Sequence, residues 1–371
     1  MSAPVSEETL LETEIKRLIA SDGPIGFDRY MELCLSHPVH GYYRSQDPIG
    51  RDGDFITAPE VSQMFGELIG VWCVEAWSAM GQPEAVQIVE LGPGRGTLMA
   101  DLVRSLGAIS SFKAAFSIHL VETSPVLTKR QAETLNSHGA TVTWHETFDT
   151  VPQKTAIIIA NEFFDALPVR QFEHHTSTWF ERVVGLNAQD DLVAGLVPHP
   201  VDVSRLRLPG CFACEGDVWE FSSARVEVAD ALGKHIAAHG GAGLIIDYGH
   251  VASGFGSTLQ AVRDHRPVAL FKTPGASDLT CHVDFESLGA VLAAGGNTVY
   301  TPITQRRFLM AMGLEARAGV LKQNSPENTG HEVDLAVARL ADCDQMGNLF
   351  KVCAVTAPGL RPPYPFGEIQ T

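Results

Sequence analysis

The chain has 371 residues, with 44 acidic and 27 basic side chains and a formal net charge of −17. That length buries a large core and suits either more than one domain or one domain with sizeable insertions. The acidic balance excludes non-specific nucleic-acid binding, which needs a basic surface, and favours encounter with a basic partner. No apolar run approaches the ~20 residues of a membrane span, so no membrane insertion is expected. Residues 1–20 carry Glu7, Glu8, Glu12 and Glu14, unlike a secretory signal or an Arg-rich transit peptide, and a bacterial cytosol is the expected location. Seven cysteines are scattered, as suits reduced thiols. Cys211 and Cys214 form the one close pair and lack the further ligands of a zinc site, so no metal is expected. The oligomeric state is left open.

In chain order, residues 7–20 read as an amphipathic helix with Leu10, Leu11, Ile15, Leu18 and Ile19 on one stripe. A turn at Gly23-Pro24 leads to a second helix over 27–35. Residues 40–60 are a long loop rich in Gly, Pro and aromatics, of a length that in compact domains marks function. A helix over 62–80 carries Trp72 and Trp77 as core residues. Residues 1–85 are thus expected to form an N-terminal helical cap.

Val86–Leu91 is an apolar run of strand type, followed by glycines at alternate positions, Gly92, Gly94 and Gly96. From Thr97 the spacing of Leu98, Leu102, Val103 and Leu106 is helical. Strand, glycine turn and helix make the first unit of an open parallel α/β sheet, which binds ligands outside the carboxyl ends of its strands. Glycines there allow close backbone approach and positive φ. A dinucleotide fingerprint reads G-x-G-x-x-G, and here the third glycine comes one residue early, with Thr97 where that fingerprint wants glycine. Glu90, two residues before the first glycine, would repel a pyrophosphate and attract a cation. The ligand implied is cationic at that end, as is S-adenosylmethionine; a nucleotide and a purely structural turn are the alternatives. E-x-G-x-G-x-G after a strand resembles motif I of the class I methyltransferases.

The second strand, 116–121, ends in Glu122, placed either for ribose hydroxyls or as a surface carboxylate. A helix over 125–136 and a strand over 141–144 follow. Trp144 and His145 stand where they would flank an adenine ring, or Trp144 is a core residue. Residues 156–160 are an apolar strand of the doubly buried kind, running into Asn161, Glu162 and Asp165. Beyond Pro168 the period becomes alternation, over 169–172, 179–184 and 192–197, which predicts an antiparallel β insertion spanning 168–221. A helix over 224–239, a strand over 243–249 and a lid or substrate loop over 250–284 come next. The chain closes with helix 285–294, strand 298–301, helices 305–312 and 331–341, and strand 349–356. The methyltransferase core is expected in 86–167 and 222–356.

Runs along nearly the whole chain resemble one family. They are His40–Tyr43, Gly53–Ser62, Val89–Leu98, Val121–Pro125, Ala160–Pro168, Ile246–Gly249 and Asp278–Phe285. The family is that of the mitochondrial complex I assembly-factor methyltransferase, also called mitochondrial dysfunction protein A, with its bacterial members. Ser257–Val262 departs from the family's run at that point. The resemblance implies a class I methyltransferase (Rossmann-like) α/β fold with a seven-stranded, mostly parallel sheet. It also implies S-adenosyl-L-methionine as cofactor and symmetric dimethylation of arginine on a complex I subunit, although bacterial members need not share that substrate.

For a guanidinium acceptor the natural clamp is a carboxylate. Glu162 and Asp165 are the nearest catalytic candidates, followed by Asp247 and Asp284; capping of a turn is the bland alternative. Glu90, Gly92, Gly94, Gly96, Glu122, Trp144 and Asn161 are the cofactor-binding candidates. A small-molecule methyltransferase and a catalytically silent, donor-binding assembly chaperone are the competing functions.

Overall fold

The computed structural model describes residues 8–45, 57–106, 109–136, 141–204, 208–324 and 330–367. Of the family-like runs, Gly53–Ile56 lies outside the described residues, as do residues 46–52 of the expected long loop. The chain forms two compact units. One comprises Met1–Phe55, Asp165–Val226 and Ala252–His282, and the other Ile56–Phe164, Glu227–Val251 and Val283–Thr371.

The second unit is built on a sheet whose main path has seven strands: β1 (Val86–Leu91), β2 (Phe116–Val121), β3 (Val142–His145), β4 (Ala156–Asn161), β5 (Gly241–His250), β6 (Thr298–Val299) and β7 (Phe350–Thr356). Their spatial order is β3-β2-β1-β4-β5-β7-β6, with β7 antiparallel to both neighbours and the central strands parallel. Every residue of β1 and of β4 is buried. That is why both read as mainly apolar runs, with Gln87, Glu90 and Asn161 as their polar members: helices cover both faces of a parallel sheet. Order reverses between β1 and β4, which makes their carboxyl ends the topological switch point.

The helix Gln63–Ala79 starts at Ser62, whose side chain accepts from the Met64 N–H. It lies so close to Thr97–Leu106 that a Cβ on Gly66 would sit 2.9 Å from the Leu98 carbonyl oxygen. Trp72 and Trp77 are buried in the core of this unit. The expected cap, 1–85, is therefore divided: its third helix belongs with the sheet, because an almost wholly apolar helix with two tryptophans needs a large core to cover it.

The first unit holds a five-stranded antiparallel sheet. Thr178–Leu186 pairs with Arg170–His175, Leu192–Leu196 and Ile25–Gly26, and Arg170–His175 pairs also with Val218–Phe221. The alternation read over 168–221 is thus realised as antiparallel strands, joined by Val218–Phe221, which the sequence reading missed. Its core gathers Leu11, Ile15 and Ile19 from helix Leu10–Asp22, Phe27, Tyr30 and Cys34 from helix Phe27–Ser36, and Val184, Ala261 and Leu279. The first helix begins later than residue 7 because Thr9 caps it, its hydroxyl accepting from the Glu12 N–H at 3.0 Å. The stretch 250–284, expected as a loop, carries a small antiparallel sheet of Gln260–Arg263, Arg266–Val268 and Asp278–Thr280. Three- and four-residue strands among Gly and Pro leave too little alternation to be read from sequence.

Candidate active site

Strand register brings the candidate residues to one sheet edge. Leu91 pairs with both Val121 and Ala160, so Gly92, Glu122 and Asn161 each follow at the same level. Trp144, on β3, pairs with Leu120 one step earlier. Glu90, Gly92, Gly94, Gly96, Glu122, Trp144, Asn161 and Glu162 all belong to the sheet unit.

The glycine turn needs its glycines. Gly92, Gly94 and Gly96 have φ of 58°, 54° and 81°, a region that favours glycine. A Cβ on Gly92 would also stand 2.9 Å from the Phe163 ring. Just before the turn, Glu90 is 3% exposed, and its Oε2 has no hydrogen-bond partner among the described residues. Burial alone pushes its carboxyl up from the usual 4.5 to about 8. An orphaned carboxyl oxygen beside a strained glycine turn suits a ligand that brings its own cation and donors. An ammonium group, as on S-adenosylmethionine, fits it; a phosphate does not.

Glu122 leaves β2 with its backbone N–H donating to the His145 carbonyl. Its carboxylate accepts from the Ser124 N–H at 2.7 Å and from Gln131 Nε2 at 3.1 Å. Trp144 donates its indole N–H to Gln131 Oε1 at 2.9 Å and rests half-buried on the hydrophobic core. At the end of β4, Asn161 is 8% exposed, and its Oδ1 lacks a partner among the described residues. Glu162 adopts φ of 49°, unusual for a residue with a side chain. Its Oε1 accepts from the Ala58 N–H at 2.9 Å and from Asn161 Nδ2 at 3.3 Å.

Three contributors escaped the sequence reading. Gln131 joins the glycine turn to Glu122 and Trp144; its signal was an amide within the buried stripe of Leu127, Gln131 and Leu135. Ala58 and Glu60 are the others: Glu60 accepts from the Thr97 hydroxyl, at the first residue of the helix after the glycines. Thr57-Ala58-Pro59-Glu60 lies within the family-like run Gly53–Ser62, so its importance was visible but its contacts were not.

Asp165, three residues on from Glu162, belongs to the other unit. There its side chain is buried, and its backbone carbonyl accepts from the Cys281 N–H at 3.1 Å and from Arg225 Nη2 at 3.4 Å. In the same unit Tyr43 donates to Asp278 Oδ1 at 3.0 Å. Burial first, then the charges of Asp278 and Asp165, raise the Tyr43 phenol far above its ordinary range. Between Glu162 and Asp165 the chain passes from the sheet unit to the other unit. Asp247 is fully buried and accepts the backbone N–H groups of Phe164 and Tyr248, both at 3.0 Å. Asp284 caps helix Phe285–Ala293 by accepting from Ser287. Asp284 also lies 4.0 Å from His250 Nε2. Among the described residues no group of His, Cys, Asp and Glu could hold a metal, and no helix is long and apolar enough to cross a membrane.

Comparison with known proteins agrees with this geometry. Residues 68–303 match a family of S-adenosyl-L-methionine-dependent methyltransferases. The mitochondrial protein arginine methyltransferase NDUFAF7 of Danio rerio is 35% identical, over 94% of this chain and 87% of that protein. The Homo sapiens protein of the same name is 35% identical over 83% of this chain and 74% of its own. A crystal structure from Burkholderia thailandensis, bound to S-adenosyl-homocysteine, aligns over 100% of this chain and 96% of that one, with a TM-score of 0.84 and 29% identity. The chain is a class I methyltransferase in fold, uses S-adenosylmethionine as its methyl donor, and belongs to the S-adenosylmethionine-dependent methyltransferase family of the complex I assembly factor.

Proposed function

We propose that this methyltransferase modifies arginine side chains of a protein, either a subunit of respiratory complex I or another protein of the cell. Its relatives named protein arginine methyltransferase support the acceptor class. The net charge of −17 supports a basic partner. The location we propose is a bacterial cytosol, which suits the free cysteines of the chain; the named relatives are mitochondrial.

The observation that carries this reading is Glu162. S-adenosylmethionine, when bound, supplies a methyl carbon attached to a sulfonium. Transfer needs the acceptor nitrogen aligned with that carbon, so the protein's part is chiefly orientation. A guanidinium stays charged, with a pKa above ~12, and is held by carboxylates. Glu162 follows directly on the fully buried β4 at the switch point, with a backbone conformation of the kind kept where function requires it. The Ala58 N–H fixes one carboxylate oxygen and so orients the group. We assign Glu162 to hold the acceptor guanidinium, with Asp165 as the alternative clamp.

Glu162→Gln decides the matter. An amide oxygen still accepts from the Ala58 N–H, so melting temperature and donor affinity stay near wild type while arginine methylation collapses. A stable, donor-binding Glu162→Gln that methylates arginine at the wild-type rate in single turnover ends the assignment. Incubating the wild type with labelled donor and total cell protein tests the acceptor class: labelled protein supports it. A labelled small molecule, or no label at all, replaces it with a small-molecule methyltransferase or a silent assembly chaperone.

A further inference from the structure

Gln131 sits at the middle of helix Pro125–Asn136 and is fully buried. A primary amide carries two N–H donors and a carbonyl acceptor, and burying it without partners costs several kcal/mol. Here all are engaged. Nε2 donates to the Gly94 carbonyl at 2.8 Å and to Glu122 Oε2 at 3.1 Å, while Oε1 accepts from Trp144 Nε1 at 2.9 Å. Chemistry fixes which way the amide faces. An indole N–H can only donate, so the atom opposite it is oxygen; a peptide carbonyl can only accept, so the atom opposite it is nitrogen. No other side chain of this length offers two donors and an acceptor in that arrangement. Glu lacks the donors, Lys lacks the acceptor, Leu lacks both and Asn is one methylene shorter.

The three groups Gln131 joins come from the turns and strands that form the donor-binding edge. Gly94 is the middle glycine of the turn, Glu122 ends β2, and Trp144 lies on β3. The same residue also shapes the turn from below: a Cβ on Gly96 would meet the Gln131 Cα at 3.3 Å. We infer that Gln131 is the positioning residue of the donor site, setting the Gly94 peptide, the Glu122 carboxylate and the Trp144 ring with one amide. This rests on the assignment of the glycine turn and Glu122 to donor binding, and adds that the three are set together rather than separately.

Two variants and one control test it, read by calorimetric affinity for S-adenosyl-homocysteine, by tryptophan emission of the donor-free protein, and by melting temperature. Gln131→Leu keeps volume and burial but no polar atom; donor affinity should fall roughly ten- to hundredfold. Its tryptophan emission should shift, and the shift should vanish when Trp144→Phe is added. Gln131→Glu supplies the reading a merely structural role would not give. Ionised, it faces Glu122 and the Gly94 carbonyl with like charge and binds donor poorly. Protonated, its O–H again donates, so the ratio of its Kd to the wild-type Kd should shrink as pH falls. Glu122→Ala combined with Gln131→Leu should weaken binding little more than Gln131→Leu alone, because the carboxylate is already misplaced.

Wild-type affinity in a folded Gln131→Leu, or a Gln131→Glu ratio that does not change with pH, overturns the inference. Full additivity with Glu122→Ala does the same. If Gln131→Leu does not fold, the pH series on Gln131→Glu carries the test. Wild-type affinity in Glu122→Ala alone refutes instead the donor-site assignment of Glu122, a result distinct from failure at Gln131.

Discussion

Glu90→Gln should make the donor-free protein more stable and a poorer binder, with both effects depending on pH. The carboxyl is buried, and desolvation holds its pKa at about 8 against the usual 4.5. At pH 7 only about one molecule in ten carries the charge, and ionising the rest costs about 1.4 kcal/mol. A cationic donor draws that ionisation. Wild-type Kd should therefore fall about tenfold from pH 6 to pH 7 and level off above pH 8, with close to one proton released per donor bound at pH 7. The amide cannot ionise, so Glu90→Gln should show neither the slope nor the proton. At pH 8.5 it should bind worse by about 1.5–3 kcal/mol, the scale for a hydrogen bond to a charged group, and near pH 6 the two proteins should converge.

Stability runs the opposite way. A carboxyl whose folded pKa is raised contributes stability that is fully present below its unfolded value and is lost as pH rises through the folded one. Between the usual 4.5 and about 8 the donor-free wild type should lose on the order of 5 kcal/mol that Glu90→Gln keeps. The checks are titration calorimetry in two buffers of different ionisation heat and melting curves at pH 6 and pH 9. A wild-type Kd independent of pH, or a Glu90→Gln that binds as well as wild type at pH 8.5, would refute the reasoning from burial to cation recognition.

Gly94→Val places a branched side chain at φ of 54°, a conformation costing about 1–3 kcal/mol, and should abolish donor binding by calorimetry while leaving far-ultraviolet circular dichroism near wild type. Glu122→Ala should weaken donor binding by about 1.5–3 kcal/mol, and a donor analogue lacking both ribose hydroxyls should lose less affinity against this variant than against wild type. Glu67 is buried, with its Oε1 accepting from Arg104 and Arg317 at 2.6 Å and 2.9 Å and its Oε2 accepting from Arg317 at 2.6 Å. Burial alone would raise its pKa, but the hydrogen bonds from Arg317 and Arg104 bring it below the ordinary value. Glu67→Ala should therefore cost about 2–3 kcal/mol in denaturant unfolding at pH 7, because both arginines keep some exposure to water. The wild-type advantage should be lost as pH falls below the usual carboxylate range, the direction for a depressed pKa.

The sheet was legible because its central strands are covered on both faces. Ala156–Ala160 is wholly apolar and Val86–Leu91 is apolar but for Gln87 and Glu90, and a run of that kind followed by alternate glycines has few readings. The spacing of Gly92, Gly94 and Gly96 with Glu90 was equally local, and it carried the cofactor. Local pattern also gave the antiparallel strands after Pro168, where one sheet face is solvated and alternation returns. What only tertiary structure decided are the relations whose physical cause lies far along the chain. Gln131 looks like an ordinary polar residue of a helix until Gly94, 37 residues earlier, and Trp144, 13 later, arrive around it. Between Glu162 and Asp165 the chain passes from the sheet unit to the other, where Val169 is buried in the core, a boundary that nothing in the run Asn161–Pro168 announces. Helix Leu314–Gln323 buries only Leu314 and Ala318, too narrow a stripe to read, and is held in part by Arg317 on Glu67, a partner 250 residues away. Periodicity records which face of an element is covered; it does not record what covers it, since a buried polar group depends on partners that only the folded chain brings within hydrogen-bonding distance.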